Sequence, residues 1–289
     1  FEQLVRGIAE GRRKNVEDIR ALVDDGPFLA DQALRAGLVD TLAYEDQLDD
    51  HGAVSQGGTV EGEVYGRSRR GLAPRNAPRV AVVYVSGIIN SGDSGFDPLN
   101  GEVAGSMRLV KAIRDARADA SVRAIVVRID SPGGSSIASD VIWRELAVTR
   151  DEKAGRPLVA SMSDLAASGG FYVAVAAPTI VAQPGTLTGS IGIYGGKFVT
   201  GGVFEKVGAN IEATTIGRNA GLESPERPFT DSERAKLQEQ MRSFYRGFVQ
   251  KVAASRKMPV ERVEQLAGGR VWTGAQARQA KCPGAEPHA

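Results

Sequence analysis

The residues of this chain best suited to chemistry gather around one serine. The stretch Ser163-Asp164-Leu165-Ala166-Ala167-Ser168-Gly169-Gly170-Phe171-Tyr172 follows an apolar run, Leu158 to Met162, that reads as a buried strand. Phe171 to Ala177 is apolar and Ala-rich and reads as a buried helix. A strand, a tight turn of small residues and a helix expose a side chain at a helix N-terminus. There the free N–H groups and the positive end of the helix dipole favour a developing negative charge. Ala166, Ala167, Gly169 and Gly170 leave nothing bulky around Ser168. The same pattern also suits an ordinary turn in which Ser168 caps the helix.

Two further segments suit that chemistry. Asp130-Ser131-Pro132-Gly133-Gly134-Ser135 reads as a strand end, a rigid proline and two glycines opening a helix. Its glycines let backbone N–H groups approach a ligand closely, so it is either a second donor turn completing an oxyanion hole or a plain β-to-α turn. It is no phosphate loop, because neither GxxxxGK[ST] nor GxGxxG occurs there. In the Gly-punctuated stretch Gln183 to Ile193, Ser190 is placed to hydrogen-bond a catalytic group or a backbone carbonyl.

Other chemistries have little to work with. The two histidines, His51 in a Gly-rich stretch and His288 beside the C-terminus, lie in segments with no packing pattern. A Ser-His-Asp triad needs a histidine held against the serine, and a zinc site needs several His or Cys ligands; one cysteine, Cys282, supplies neither a disulfide nor a site. No cofactor is called for. A net charge of +1 gives no reason to expect nucleic acid, and 42% hydrophobic residues in 289 suffice for one large domain with an appendage. No apolar run has the length of a membrane span, and no signal peptide is visible. The sequence opens at Phe1 within a helical pattern, as a fragment would.

The elements that must position these residues follow from periodicity. Residues 1 to about 40 read as helices and have an ungapped counterpart near the other end. Val5 aligns with Val249, Ala9 with Ala253, Arg12 with Arg256, Val16-Glu17 with Val260-Glu261, Leu22 with Leu266, Phe28 with Trp272 and Gln32-Ala33 with Gln276-Ala277. A repeat this long suggests two tandem copies of one domain, with only the tail of the first present. The expected organisation is therefore a first-repeat helical tail over 1–50, a Gly-, Ser- and Arg-rich linker over 51–78 with a short strand near Val64-Tyr65, a domain over 79–280 and an atypical tail over 281–289.

Within the domain, Val80 to Val85, Ala124 to Ile129, Leu158 to Met162 and Thr179 to Ala182 read as strands. Val103, Met107, Val110 and Ile113 mark one helix, and Ile137, Val141 and Leu146 another. This alternation implies a mostly parallel α/β sheet. Thr230 opens a capping box with Glu233, after which Leu237, Met241, Phe244, Phe248 and Val252 form a packing stripe; Asp231 to Lys236 reads as a solvated face.

Several of these motifs occur in a telling order: Asp130-Ser131-Pro132-Gly133-Gly134, Met162 to Tyr172, Thr186 to Gly192, Ser224-Pro225, Gly269-Arg270-Val271-Trp272-Thr273-Gly274 and the terminal repeat. Together they resemble the signal peptide peptidase A family, serine peptidases with the Clp-protease/crotonase fold, a parallel-sheet ββα superhelix that here would carry a helical C-terminal extension. The resemblance covers roughly residues 79 to 280, and residues 1 to 50 resemble the end of the first half of the family's double-length, two-repeat form. It implies that Ser168 is the nucleophile of a Ser/Lys dyad, that the N–H groups of Gly134 and Gly169 form the oxyanion hole, and that Ser190 orients the general-base lysine. It further implies a peptide substrate, namely cleaved signal peptides or other short apolar segments. It also implies a homo-oligomer (ring or tetramer) and a place in the bacterial cell envelope, on the inner membrane through an N-terminal segment absent from this chain.

The chain also departs from the family. In the short form the lysine stands four residues before the Ser-Pro matching Ser224-Pro225, and here that position is Ala220. In the double-length form the first repeat supplies the lysine. Lys14 and Lys281 lie in terminal repeat segments, while Lys111, Lys153, Lys236, Lys251 and Lys257 read as polar helix faces or loops. Lys206 sits beside Glu205, which leaves Lys197 as the best substitute on this chain, with nothing nearby that promises desolvation. Where the first repeat reads Gly37-Leu38-Val39-Asp40, the second reads Lys281-Cys282-Pro283-Gly284. Two other readings remain: a crotonase-type acyl-CoA enzyme, and a non-catalytic assembly fragment.

Overall fold

The β-branched run Arg79–Ser86 forms β1, an edge strand of a mostly parallel sheet. In this computed structural model the described residues are 1–25, 28–42, 78–99, 101–152, 155–206, 208, 213 and 219–280. The expected linker, with its strand near Val64-Tyr65, and the tail over 281–289 fall outside them, Pro78 excepted. The chain divides into two units, Phe1–Ala77 and Pro78–Ala289.

The first unit holds α1 (Glu2–Arg12), α2 (Val16–Asp25) and α3 (Ala30–Arg35). Val5, Ala9 and Ile19 are buried at its centre, with Ile8, Val16, Leu22 and Leu38 packed around them. Arg13 ends α1 in the left-handed region at φ 52°, and Arg12 pairs with Asp40 at 2.8 Å.

The second unit is built on the sheet order β1-β5-β6-β8-β9. β5 (Val122–Ser131) lies parallel to β1 and to β6 (Leu158–Ala167). β6 is longer than the apolar run suggests and changes partner along its length. Val159–Ser161 pair with β7 (Thr179–Val181), whereas Leu165–Ala167 pair with β8 (Leu187–Gly189). The change occurs at an irregularity where Ile129 pairs with Met162 but Ser131 pairs with Ala166. Arg128 braces it, donating to the Met162 carbonyl at 3.1 Å and to Ser163 Oγ at 3.0 Å. Thus Ser163 to Ala167, read as part of a turn, continue the strand up to Ser168. β9 (Val271–Thr273) closes the sheet antiparallel to β8. A small separate sheet joins β2 (Ile88–Asn90), β3 (Gly95–Asp97) and β4 (Gly101–Gly105).

The helices keep their expected places, but two faces are shifted. α4 (Ser106–Ala118) starts after Val103, which is in β4; Met107 is exposed and the buried face is Leu109, Ile113 and Ala116. α5 (Ser136–Glu152) buries Leu146 as expected but exposes Ile137 and Val141 and buries Ala138 and Ile142 in their place. Each shift amounts to a step along a 3.6-residue period, which short apolar runs leave ambiguous. After α6 (Gly169–Ala174) and α7 (Gly201–Lys206) comes α8 (Asp231–Arg256), opened by the Thr230–Glu233 capping box. In its apolar stripe Phe248 and Val252 are core residues, while Leu237 and Met241 stay half-buried. α9 (Val260–Leu266) and α10 (Gly274–Gln279) complete the unit.

The repeated sequence adopts the same local structure in each unit. Val5 and Val249, Ala9 and Ala253, and Ile19 and Val263 are all buried. Arg13 and Lys257 occupy the left-handed region at φ 52° and 53°. The next amide turns back identically, Lys14 N–H to the Ala9 carbonyl and Met258 N–H to the Ala253 carbonyl, both at 2.9 Å.

The face over Asp231 to Lys236 is not wholly solvated, because Glu233 is fully buried. Arg227 donates to its two oxygens at 2.7 and 2.8 Å, and the Thr230 N–H donates to one at 2.8 Å. Arg227 first, and the Thr230 amide second, hold its carboxyl down at about 2, against 4.5 for an ordinary glutamate. A depressed folded pKa contributes stability above pH 4.5 and loses it as pH falls towards 2. We expect Glu233→Gln to be less stable at neutral pH and to lose less stability across that acid window in circular-dichroism unfolding. Equal acid slopes for the two proteins would exclude Glu233 as the source.

Candidate active site

Ser168 stands between β6 and α6 in a conformation few serines adopt, φ 52° and ψ −118°. A left-handed backbone at a residue with a Cβ is strained by roughly 1–3 kcal/mol and persists only where its surroundings fix it. Its N–H donates to the Gly189 carbonyl at 2.9 Å and its carbonyl accepts the Tyr172 N–H at 2.8 Å. Ser168 Oγ makes no capping bond, so the side chain does not serve the helix terminus.

The Asp130–Ser135 turn is held against it by backbone. Ile89 of β2 donates its N–H to Gly133 and accepts from the Ser135 N–H, each at 2.8 Å. Ser131 Oγ donates to the Gly87 carbonyl at 2.6 Å and accepts the Gly133 N–H at 3.1 Å. A Cβ on Gly133, where φ is 99°, would lie 2.5 Å from the Gly169 nitrogen and 2.9 Å from Ser168 Cβ. One on Gly134 would strike the Ile89 carbonyl oxygen at 2.2 Å; one on Gly169 would lie 2.4 Å from Ser139 Oγ and 3.2 Å from the Gly134 nitrogen. The structure therefore brings Gly134, Gly169 and Ser168 together, and neither glycine N–H has an acceptor among the described residues.

Ser190 follows β8, also at positive φ, 51°, with its N–H on the Arg270 carbonyl at 2.7 Å. Ser168 and Ser190 open into one cleft of about 600 Å³, which Gly134, Gly169, Ile193, Tyr194, Tyr172, Phe244 and Phe248 also line. Four aromatic rings, Tyr172, Tyr194, Phe244 and Phe248, stand in its wall among glycines and serines, and the packing stripe of α8 supplies two of them. Among the described residues no lysine, histidine or carboxylate lines this cleft. Ala220 is exposed in a turn. Lys197 is engaged elsewhere: it donates to the Gly221 carbonyl at 3.3 Å and lies 4.4 Å from the centre of the Phe229 ring. No cluster of His, Cys, Asp or Glu suited to a metal ion occurs among the described residues.

A polar chain behind the cleft had no local sequence signal. Tyr172 OH donates to Asp140 Oδ1 at 2.6 Å, and Lys251 Nζ lies 3.3 Å from the same oxygen and 4.4 Å from the centre of the Trp143 ring. Lys251 is thus partly covered and paired, not on a free polar face. Burial, then the bond to Asp140, pushes the Tyr172 phenol well above its usual range, so it remains a neutral donor. The ring stacks on Phe244 at 5.3 Å and an interplanar angle of 15°. Asp140 belongs to the helix after the Gly133-Gly134 turn and Tyr172 to the helix after Ser168, so this bond ties the two turns from behind.

Comparison with known proteins adds the following. The sequence profile of Peptidase family S49 matches residues 150–282. The chain is 34% identical over 287 residues to the chloroplastic serine protease SPPA of Arabidopsis thaliana, covering 96% of this chain and 42% of that protein. It is 37% identical over 199 residues to Protease 4 of Salmonella typhi, covering 69% of this chain and 31% of that protein. A mutant of ClpP1 from Listeria monocytogenes superposes with a TM-score of 0.42 at 13% identity, over 70% of this chain and 88% of that one. The chain spans less than half the length of either of these two proteases.

Removing the Tyr172 hydroxyl should leave the aromatic packing intact and cost about 1 kcal/mol of unfolding free energy in urea. Asp140→Asn, which keeps an acceptor, should cost less than Asp140→Ala. A Tyr172→Phe chain as stable as the parent would show that the bond to Asp140 contributes nothing.

Proposed function

The chain belongs to peptidase family S49, and on that premise we propose that it is a serine peptidase whose nucleophile is Ser168. The observation that carries this reading is the strained, uncapped Ser168 beside two unengaged amides, those of Gly134 and Gly169. In the reaction Ser168 Oγ forms a bond to a peptide carbonyl carbon, its proton passes to a neutral amine, and the carbonyl oxygen takes the negative charge between the two N–H donors. The C–N bond then breaks as the amine returns its proton to the leaving nitrogen. Water, deprotonated by the same amine, then bonds to the acyl carbon, the C–Oγ bond breaks, and the amine returns the proton to Ser168 Oγ, so the acyl group leaves as the acid.

The base is a lysine, and we propose that it comes from a preceding copy of the domain, of which residues 1 to 42 are the helical end. Support comes from the cleft without a lysine, Ala220 in the short-form position, and the matched local structure of the two repeated segments. Ser190 would accept or donate a hydrogen bond that fixes the amine beside Ser168. The aromatic rings and glycines of the cleft suit extended peptides with apolar or small side chains, and we propose cleaved signal peptides as the substrate class. By the same reading the working enzyme is a homo-oligomer in the bacterial cell envelope, held at the inner membrane by a segment outside this chain. No helix among the described residues is long and apolar enough to cross a membrane.

The test is hydrolysis of an internally quenched apolar peptide by this chain alone and with the lysine-bearing repeat supplied. General-base catalysis contributes roughly 10²–10⁴-fold, so the chain alone should turn over at least ~10²-fold more slowly than the reconstituted pair. Ser168→Ala should abolish the restored activity. Full turnover by the chain alone, lost in Lys197→Ala, would place the base on this chain instead. Activity that survives Ser168→Ala would remove the nucleophile assignment, and absence of any turnover with both pieces present would favour an assembly role.

A further inference from the structure

A second cavity, of about 120 Å³ and almost wholly apolar, lies behind the segment that carries Ser190. The two spaces share that segment as a wall: Ser190 and Gly192 line the cleft, whereas Gly189 and Ile191 line the cavity. Val252, Val263, Leu266 and Ala277 line it from the C-terminal helices. A space of this size is suited to one branched aliphatic side chain; an apolar cavity of about 150 Å³ holds a molecule as small as benzene.

The internal repeat indicates what belongs there. The positions matching Val252, Val263 and Leu266 in the first unit are Ile8, Ile19 and Leu22, and these pack in the cluster that includes Leu38. Leu38 is delivered by a short hook. Gly37 turns at φ 67°, and the Leu38 N–H closes back on the Ala33 carbonyl at 2.9 Å. Arg12 Nε donates to the Gly37 carbonyl at 2.9 Å and fixes the hook from the side. The matching residues Ala277 and Arg256 both line the cavity of the second unit. Receiver residues are therefore matched in both units, but the hook sequence is not: Lys281-Cys282-Pro283-Gly284 stands where the first unit has Gly37-Leu38-Val39-Asp40. A lysine has no ease at the left-handed φ that Gly37 uses, and a cysteine side chain is smaller than a leucine.

We propose that the 120 Å³ cavity is a socket for one leucine side chain presented by a Gly-Leu-Val-Asp peptide in the register of residues 37–40, and that it accepts such a peptide as a ligand. Filling it braces Gly189 and Ile191 and, through them, the backbone of Ser190. The socket does not depend on the chemistry of Ser168.

Two measurements test it on the whole chain. The first adds acetyl-Gly-Leu-Val-Asp-amide and follows thermal unfolding, with acetyl-Gly-Ala-Val-Asp-amide as the control. A concentration-dependent rise in Tm with the leucine peptide alone supports the socket, and equal responses to the two overturn it. The second grafts the hook in place with Lys281→Gly, Cys282→Leu, Pro283→Val and Gly284→Asp, against the same graft carrying Cys282→Ala. From cavity costs of about 3–5 kcal/mol in other cores and about 2–4 °C per kcal/mol in a unit of this size, the leucine graft should unfold roughly 5–20 °C above the alanine graft, and it should no longer respond to the leucine peptide. Grafts with the same Tm, or a leucine graft that still binds the peptide, would overturn the proposal.

Discussion

The structure depends on a single close approach of backbone to backbone. The Gly133-Gly134 turn and the Ser168-Gly169 junction come so near that a Cβ on Gly133 would lie 2.5 Å from the Gly169 nitrogen, while one on Gly134 would strike the Ile89 carbonyl of β2 at 2.2 Å. Such distances leave no room for adjustment, so the residue types on both sides are dictated before any chemistry is considered. Each side launches a helix, α5 from one and α6 from the other, and the dipoles of both helices start at the same spot. β2 exists largely to hold this approach, since Ile89 bonds to residues on both sides of Gly134.

Much of this was legible in the sequence. The runs Val80 to Val85 and Ala124 to Ile129 announce parallel strands; Ile125, Val127 and Ile129 are buried as such a run implies, whereas the edge strand β1 buries Val83 and Val85 and leaves Val80, Val82 and Tyr84 exposed. Glycine pairs after Asp130 and after Ser168 announced the two turns for the reason the contacts now give. What the sequence concealed is what depends on partners far along the chain. The extension of β6 to Ala167 needs β8 as a second partner, and a run of Ser163-Asp164 carries no strand signal of its own. Helix faces around Met107 and Ile137 were misjudged because short apolar runs fit two neighbouring phases of a helix. The bond from Tyr172 to Asp140, backed by Lys251, joins three elements and leaves no local spacing to detect.

Three buried polar groups in the second unit are answered by neighbours that also fix a piece of backbone. Glu233 secures Arg227 and the start of α8 together. Ser131 secures Gly133 and Gly87 together. Arg256, buried near the end of α8, donates to the Ala177 carbonyl at 2.7 Å and so ties that helix to the segment after α6. A polar group that is satisfied in this way adds positional definition that an apolar contact of equal area lacks.

Ser168 is hung by its amide from Gly189, and Ser190, one residue on, is hung by its own amide from Arg270, beside β9. The two serines are therefore consecutive rungs of a ladder that runs from β6 through β8 to β9, and β9 is a three-residue strand at the rim of the sheet. Short rim strands open at far lower free energy than the strands they flank. Amide hydrogens along this ladder should thus exchange with solvent as a group, well before those of β5. Ser190 is thereby tied to the rim of the sheet, whereas Ser168 is anchored at the end of β6, which β5 and β8 flank.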